Sequence, residues 1–215
     1  MAEAISNKAY TQRYSAEVRR QQIVNVAADL FSKHGFSGTT TKEIAERAGV
    51  SEAIIFRHFA TKRELYSAII DSKTGQGSES IPARLEEAAA YKDDKAFFRI
   101  LALEKLELYS GDPTLLRLLL FSALEGHEMT DIFFESIALD VRNYVRAYIS
   151  LRIADGAFRD VDPAVCARAF MGMVWNQAQV LILFNACDDV EVSSAEIADA
   201  FVDIFLKGLV VRDPV

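Results

Sequence analysis

Residues 39–66 read TTTKEIAERAGVSEAIIFRHFATKRELY, and three helix starts fall inside the stretch. Thr40 followed by Glu43 fits a capping box, in which each side chain satisfies an orphan amide of the first turn. Thr61 with Glu64 repeats the pattern, and Ser51 is placed to cap the helix between them. Ala48-Gly49-Val50-Ser51 separates the first two helices. Glycine there can take the left-handed conformation that ends a helix at no steric cost. Two short helices joined by such a turn make a helix-turn-helix.

The apolar positions orient the second helix. Ile44, Ala45 and Ala48 give the first helix an inner stripe, and Val50 closes the turn. Ile55 and Phe59 are four apart and share one face of the second. At about 100° per residue the opposite side holds Ala53 and Arg57, flanked by Ile54 and Phe56. In a DNA-binding pair the second helix enters the major groove and its N-terminal residues meet base edges. The reading surface would then be Ser51, Glu52, Ala53, Ile54 and Arg57. Spacing alone leaves DNA binding and plain helix packing as equal alternatives.

The residues also carry a resemblance. Ile23-x-x-x-Ala27-Ala28-x-Leu30-Phe31, Gly35-Phe36, Thr39-Thr40, Ile44-Ala45, Ala48-Gly49-Val50-Ser51, Phe56-x-His58-Phe59, Lys62 and Leu65-Tyr66 stand in unbroken order. Together they resemble the N-terminal domain of TetR-family transcriptional repressors. The resemblance implies a homodimer that binds a near-palindromic operator in double-stranded DNA and is released by a small-molecule effector. It also implies that Thr40, Lys42 and Lys62 meet backbone phosphate and that His58 lies near it. Arg57 is the candidate for a base contact, since arginine can bridge two acceptors of guanine. Three positions depart from the family pattern. Phe56 stands where tyrosine is common, which removes a hydroxyl contact to phosphate. Glu52 and Ile54 replace residues that are often small or basic. Glu52 is repelled by phosphate unless it accepts from cytosine, and Ile54 could meet a thymine methyl.

Charge is distributed unevenly. The chain has 215 residues and net charge −7. Residues 1–70 hold ten Lys and Arg against seven Asp and Glu, net +3; the rest hold fourteen against twenty-four, net −10. A mildly basic head on an acidic body suits a protein that presents one end to DNA. No apolar run of signal-peptide character follows the first basic residues. No stretch is long and apolar enough to span a membrane, so the expected location is the cytoplasm. Cys166 and Cys187 form no C-x-x-C pair and read as reduced, buried thiols.

The remaining pattern predicts an all-α fold. Met1–Tyr14 has little apolar periodicity and is expected to be mobile, with Ser15 capping a helix to about Lys33. That helix should bury Ile23, Ala27, Leu30 and Phe31, with Gly35 ending it. A helix from Lys62 fades near Asp71, and the loop-like run 72–80 separates a helix-turn-helix domain, 15–71, from a second domain, 80–212. The second domain reads as a bundle of about six helices. Pro82 should sit in a first turn, Asp93-Asp94 should precede an apolar helix, and Asp112-Pro113 should open another. Gly126 to Thr130 breaks the chain. Long helices are expected at about 131–154 and 163–184, and Ser193 with Glu196 caps the last. The apolar excess of the two long helices implies a second buried face, hence a dimer interface.

Enzymatic chemistry has little to work with. The three histidines, His34, His58 and His127, fall at no metal-ligand spacing, and no nucleophile elbow or phosphate loop appears. No catalytic residue, metal or cofactor is implied. An apolar pocket in the body is expected instead, with Arg117, Phe121, Tyr144, Tyr148, Trp175 and Asn176 as candidate contacts on otherwise apolar helices. The rival readings are a ligand-binding module without DNA recognition and, behind it, a cofactor-free enzyme.

Overall fold

The computed structural model describes residues 2–74, 82–126, 139–183 and 192–211. Ten helices lie among them: α1 (Ala2–His34), α2 (Thr41–Ala48), α3 (Glu52–His58), α4 (Lys62–Thr74), α5 (Ala83–Ala90), α6 (Asp94–Gly111), α7 (Pro113–Glu125), α8 (Leu139–Ala154), α9 (Pro163–Leu183) and α10 (Ser194–Leu209). An isolated antiparallel bridge pairs Phe158 with Val210. The chain divides into two compact units, Met1–Gln76 with Arg117–Phe133, and Gly77–Leu116 with Phe134–Val215. The expected helix over 131–154 is described only from Leu139, and His127, Cys187 and Phe184 lie outside the described residues.

The first unit is built on α1. Ile23, Val24, Ala27, Ala28, Leu30 and Phe31 are all buried, at the spacing that lays one face of a helix against its neighbours. The helix begins at Ala2 rather than at Ser15. No glycine or proline interrupts the chain from Ala2 to Lys33, and adding turns to a formed helix costs little. Gly35 ends α1 at φ +75°, where a side chain would be strained. A Cβ there would also strike Glu125 Oε1 and press on Phe121. Phe36 then folds back on Phe31, with ring centroids 5.5 Å apart, and meets Tyr66 edge-on at 5.8 Å. Tyr66 donates from its hydroxyl to the Leu118 carbonyl at 3.1 Å, and the Ser37 amide donates to Glu125 at 3.3 Å. These contacts explain why the part of α7 from Arg117 belongs with this unit.

The second unit packs around aromatic rings. Phe98 of α6, Phe170 of α9 and Phe205 of α10 meet pairwise, each pair 4.9 Å apart. Phe97 stacks on Tyr148 of α8 at 3.9 Å. Ser193 caps α10 with the full reciprocal box to Glu196. Asp93 caps α6 by accepting from the Ala96 amide. Pro82 is the cap residue of α5 rather than a first-turn residue, and α4 continues to Thr74, three residues past the expected end. Gly156 stops α8 at φ +75°. The bridge after it ties Arg159 N–H to the Leu209 carbonyl at 2.9 Å and Val211 N–H to the Ala157 carbonyl at 3.1 Å, pinning the end of α10.

Candidate nucleic-acid interface

The helix-turn-helix is closed by backbone groups and then braced from α1. Glu43 N–H donates to Thr40 Oγ1 at 3.1 Å at the start of α2. Gly49 takes φ +64°, ψ 36°, and its amide turns back to Ala45 and Glu46. Val50 N–H reaches the Ala45 carbonyl at 3.0 Å, so two orphan carbonyls of α2 are satisfied within the turn. Ser51 occupies the cap position of α3, but its side chain makes no capping bond. At α4, Glu64 N–H donates to Thr61 Oγ1 at 3.0 Å, while the Glu64 carboxylate accepts from Ala60 N–H rather than from Thr61. From α1, Gln22 donates to the Ala48 carbonyl at 3.0 Å and the Arg20 guanidinium lies 4.9 Å from the centre of the Phe59 ring. Asp29 holds Lys33 at 2.6 Å and Arg47 at 2.9 Å.

This frame decides what α3 shows to solvent. Ile55 and Phe59 are buried, at 1% exposure each. Ser51, Ala53 and Arg57 are exposed, and the Phe56 ring is 49% exposed. Thr40 and Lys42, at the start of α2, are exposed as well. Amides at that helix end favour anions, and Lys42 adds a full positive charge. Thr40 uses its oxygen as an acceptor in the cap, which leaves its hydroxyl proton for an outside acceptor. Ile54 is half-buried. Glu52 is half-buried too, and Thr41 donates its hydroxyl to Glu52 Oε2 at 2.7 Å. The carboxylate is thereby fixed at the N-terminal end of the reading helix.

Two candidate residues are turned inward. Lys62 Nζ donates to the Phe36 carbonyl and lies 4.1 Å from the Phe36 ring centroid and 5.4 Å from that of Phe31. Burial holds its ammonium below the ordinary lysine range, against the opposing pull of Glu125. His58 is half-buried, and its Nε2 is fully enclosed with no hydrogen-bond partner. Burial first, then the charges of Arg57 and Arg20, hold the imidazole below its ordinary pKa.

The six candidate ligand contacts divide between the two units. Phe121 presses on Gly35 in the first unit, and Arg117 is exposed on α7. In the second unit Tyr148 is buried and donates to Asp94 Oδ1 at 2.6 Å. Arg152 grips the same carboxylate through two bonds of 2.8 and 3.0 Å, and also reaches Asp155. Such two-pronged pairing is strong and geometrically specific, so Tyr148 is committed to the fold. Tyr144 lies beside Phe97, with ring centroids 5.9 Å apart. Trp175 meets Tyr109 edge to face at 5.3 Å, and Asn176 is exposed on α9.

Residues 23–69 match the model of bacterial regulatory proteins of the tetR family, and residues 109–208 match that of the AefR-like transcriptional repressor C-terminal domain. The first match contains the whole helix-turn-helix; the second runs through α7 to α10. The chain is a TetR-family DNA-binding transcriptional regulator. Among TetR-family relatives, the HTH-type transcriptional regulator RutR of Escherichia coli strain K12 is 26% identical over 168 residues, 77% of this chain and 74% of RutR. The solved structure of FadR from Bacillus subtilis with stearoyl-CoA superposes with a TM-score of 0.69 at 19% identity, over 87% of this chain and 98% of that one. AibR in complex with isovaleryl coenzyme A and operator DNA gives 0.62 at 22% identity, over 86% and 97%. The relatives are regulators of transcription rather than enzymes. Among the described residues no helix is long and apolar enough to cross a membrane.

Three TetR-head features escaped the sequence reading. The Thr41–Glu52 bond joins two helix starts eleven residues apart, and both residue types were visible, so a search for acid and hydroxyl pairs across the turn would have found it. The clamps from Gln22 and Arg20, and the docking of α7 on Tyr66, link residues 26 to 88 apart in sequence with no local signal.

Proposed function

We propose that this chain is a cytoplasmic repressor that binds an inverted-repeat operator as a homodimer and is released by a small, mainly apolar effector. Residues 15–71 serve as the DNA-binding domain, and residues 80–212 as the ligand-binding and dimerisation domain. The carrying observation is the outward row Ser51, Ala53, Phe56 and Arg57 on an α3 anchored by Ile55 and Phe59. Arg57 reads a base; Thr40, Lys42 and the α2 amides hold phosphate. Glu52, steered by Thr41, accepts from a cytosine amino group, while Ile54 and Phe56 supply apolar contact. Lys62 and His58 support the edge of this surface and reach phosphate only by leaving their present partners or enclosure.

Dimerisation is supported by exposed apolar surface in the second unit. On α9, Val165 is 53% exposed, and Ala169 and Gly172 continue its row at helical spacing. On α10, Ile204 is 64% exposed between exposed Ala200 and Gly208. The outward residues of α8 are a polar row of Asn143, Arg146 and Ser150 beside an apolar row of Ala147, Leu151 and Ala154, in which Leu151 is 46% exposed. We assign the dimer face to α9 with α10, whose Val165 and Ile204 are more exposed than Leu151 of α8, in place of the pairing of 131–154 with 163–184 expected from apolar content. The coenzyme A thioesters bound by FadR and AibR support a small-molecule signal for this chain. The effector acts by binding more tightly to a state whose two heads do not fit the operator.

The test is selection of genomic duplexes by purified protein at two salt concentrations. Enrichment of one inverted repeat, with affinity falling steeply in salt, is the expected result. Diffuse, sequence-independent retention would contradict it and favour a ligand-binding module without an operator.

A further inference from the structure

Lys105 stands where an apolar side chain belongs. At about 100° per residue, Phe98, Lys105 and Tyr109 fall within roughly 40° of one another on α6, with Leu101 and Ala102 beside them. Phe98, Leu101, Ala102 and Tyr109 are all buried. The lysine is thus central to the inward stripe, a place that lysine rarely takes without a partner. Among the described residues it has no hydrogen bond and no ion pair. The adjacent Glu104 is engaged by Arg84 at 3.2 Å. Burial lowers the pKa of the Lys105 ammonium, with Glu104 opposing.

Two further donors stand in the same condition. One turn along α6, Tyr109 meets Trp175 of α9 edge to face. Neither the Tyr109 hydroxyl nor the Trp175 indole N–H has a hydrogen-bond partner among the described residues. Among those residues the fully enclosed side-chain nitrogen or oxygen without a partner is His58 Nε2, in the other unit. The three donors of α6 and α9 therefore keep access to space that protein atoms do not fill.

We propose that Lys105, Tyr109 and Trp175 form the anion-binding subsite for the effector, and that the effector is a carboxylic acid with an apolar body. The inference rests on the reading of the chain as a ligand-responsive regulator. One ammonium and two neutral donors match one carboxylate: two acceptor oxygens and a single negative charge. A dianionic phosphate would leave an uncompensated charge among apolar side chains, which is costly. The aromatic edges and the buried aliphatic residues of α6 suit the apolar body.

The chain has one tryptophan, so its emission reports on Trp175. Full-length protein is titrated with octanoate and with benzoate, and with 1-octanol as the neutral control. A saturable change with at least one carboxylate is expected, with octanol at least tenfold weaker. Lys105→Met is expected to lower carboxylate affinity at least tenfold and leave octanol unchanged, while Lys105→Arg retains most of the wild-type affinity. Without ligand, Lys105→Met should melt at or above the wild-type temperature, because a half-buried charge without a partner is gone from the apolar stripe. The proposal is overturned if neither carboxylate binds, if Lys105→Met binds them as wild type does, or if that variant melts several degrees lower or fails to fold. Operator anisotropy is measured in parallel on ligand-free protein. Intact sequence-specific binding without a Lys105-dependent carboxylate response defeats this inference alone. Loss of sequence specificity in wild type defeats the regulatory reading and leaves Lys105-dependent carboxylate binding standing.

Discussion

Arg57 and Lys62 carry the same charge five residues apart and are put to different uses. Arg57 points outward from α3, whereas Lys62 lies over Phe36 and donates to its carbonyl. Arg57→Ala is therefore expected to leave the melting temperature alone and to relax base preference at one operator position by about 1–3 kcal/mol. Lys62→Ala should cost about 1–2 kcal/mol of stability through the lost cation–ring contact and carbonyl bond. It should also weaken binding to all sequences together. Thermal melts and binding to a panel of single-base operator variants separate the two. A Lys62→Ala protein of wild-type stability with a shallower salt dependence would make Lys62 a direct phosphate ligand instead. Tyr66 offers a second residue-scale test. Burial pushes its hydroxyl up to about 12, above the ordinary 10, so the folded state holds the proton more tightly. Stability from this group is complete below pH 10 and lost as the pH climbs to about 12, by about 2–3 kcal/mol in all. Tyr109 is raised to about 12 as well and contributes the same sign. Tyr66→Phe should flatten the alkaline fall by Tyr66's share, seen in urea melts at pH 9 and pH 11.

At the scale of elements, local chemistry was legible and distant partnership was not. The turn at Gly49, the stops at Gly35 and Gly156 and the caps at Thr40, Asp93 and Ser193 each involve residues within four or five positions, so the pattern that makes them is written contiguously. Arg152 gripping Asp94 spans 58 residues, and the reach from Ser37 to Glu125 spans 88. The type of residue gave no hint of either meeting. Tyr148 shows the consequence: its polar head on an apolar helix suggested a ligand, and Asp94 accepts the hydrogen bond of its hydroxyl. Lys105 is the converse, a charge within the α6 stripe that the residue order alone revealed and the sequence reading passed over. The caps allow a paired comparison. Ser193 is joined to Glu196 by a reciprocal box, while Ser51 makes no capping bond. Ser193→Ala should cost about 1 kcal/mol and Ser51→Ala only a few tenths, both read as shifts in urea midpoint. Equal losses would mean that Ser51 engages the α3 amides in solution.

For the whole molecule, affinity for an inverted repeat depends on having two heads on one particle. A single helix-turn-helix spends its few phosphate and base contacts on one half-site, and the second half-site is reached at high effective concentration only through the dimer. The exposed rows on α9 and α10 are the surfaces that can hold two chains together, and Ile204 is the most exposed large apolar residue on either helix. Ile204→Glu places two carboxylates at such a face and buries them unpaired, which a dimer cannot accept cheaply. The expected result is a monomer in sedimentation at concentrations where wild type is dimeric, with unchanged helical signal. Operator affinity should fall 10²-fold or more, while weak binding to an isolated half-site persists. Asn143→Glu on the polar outer row of α8 is the control and should change neither. If Ile204→Glu stays dimeric and Asn143→Glu does not, the interface lies on α8 and the pairing expected from apolar content is restored. If both stay dimeric with full operator affinity, the two chains meet through residues outside these three rows, and the exposed apolar surface of α10 must be covered by something else.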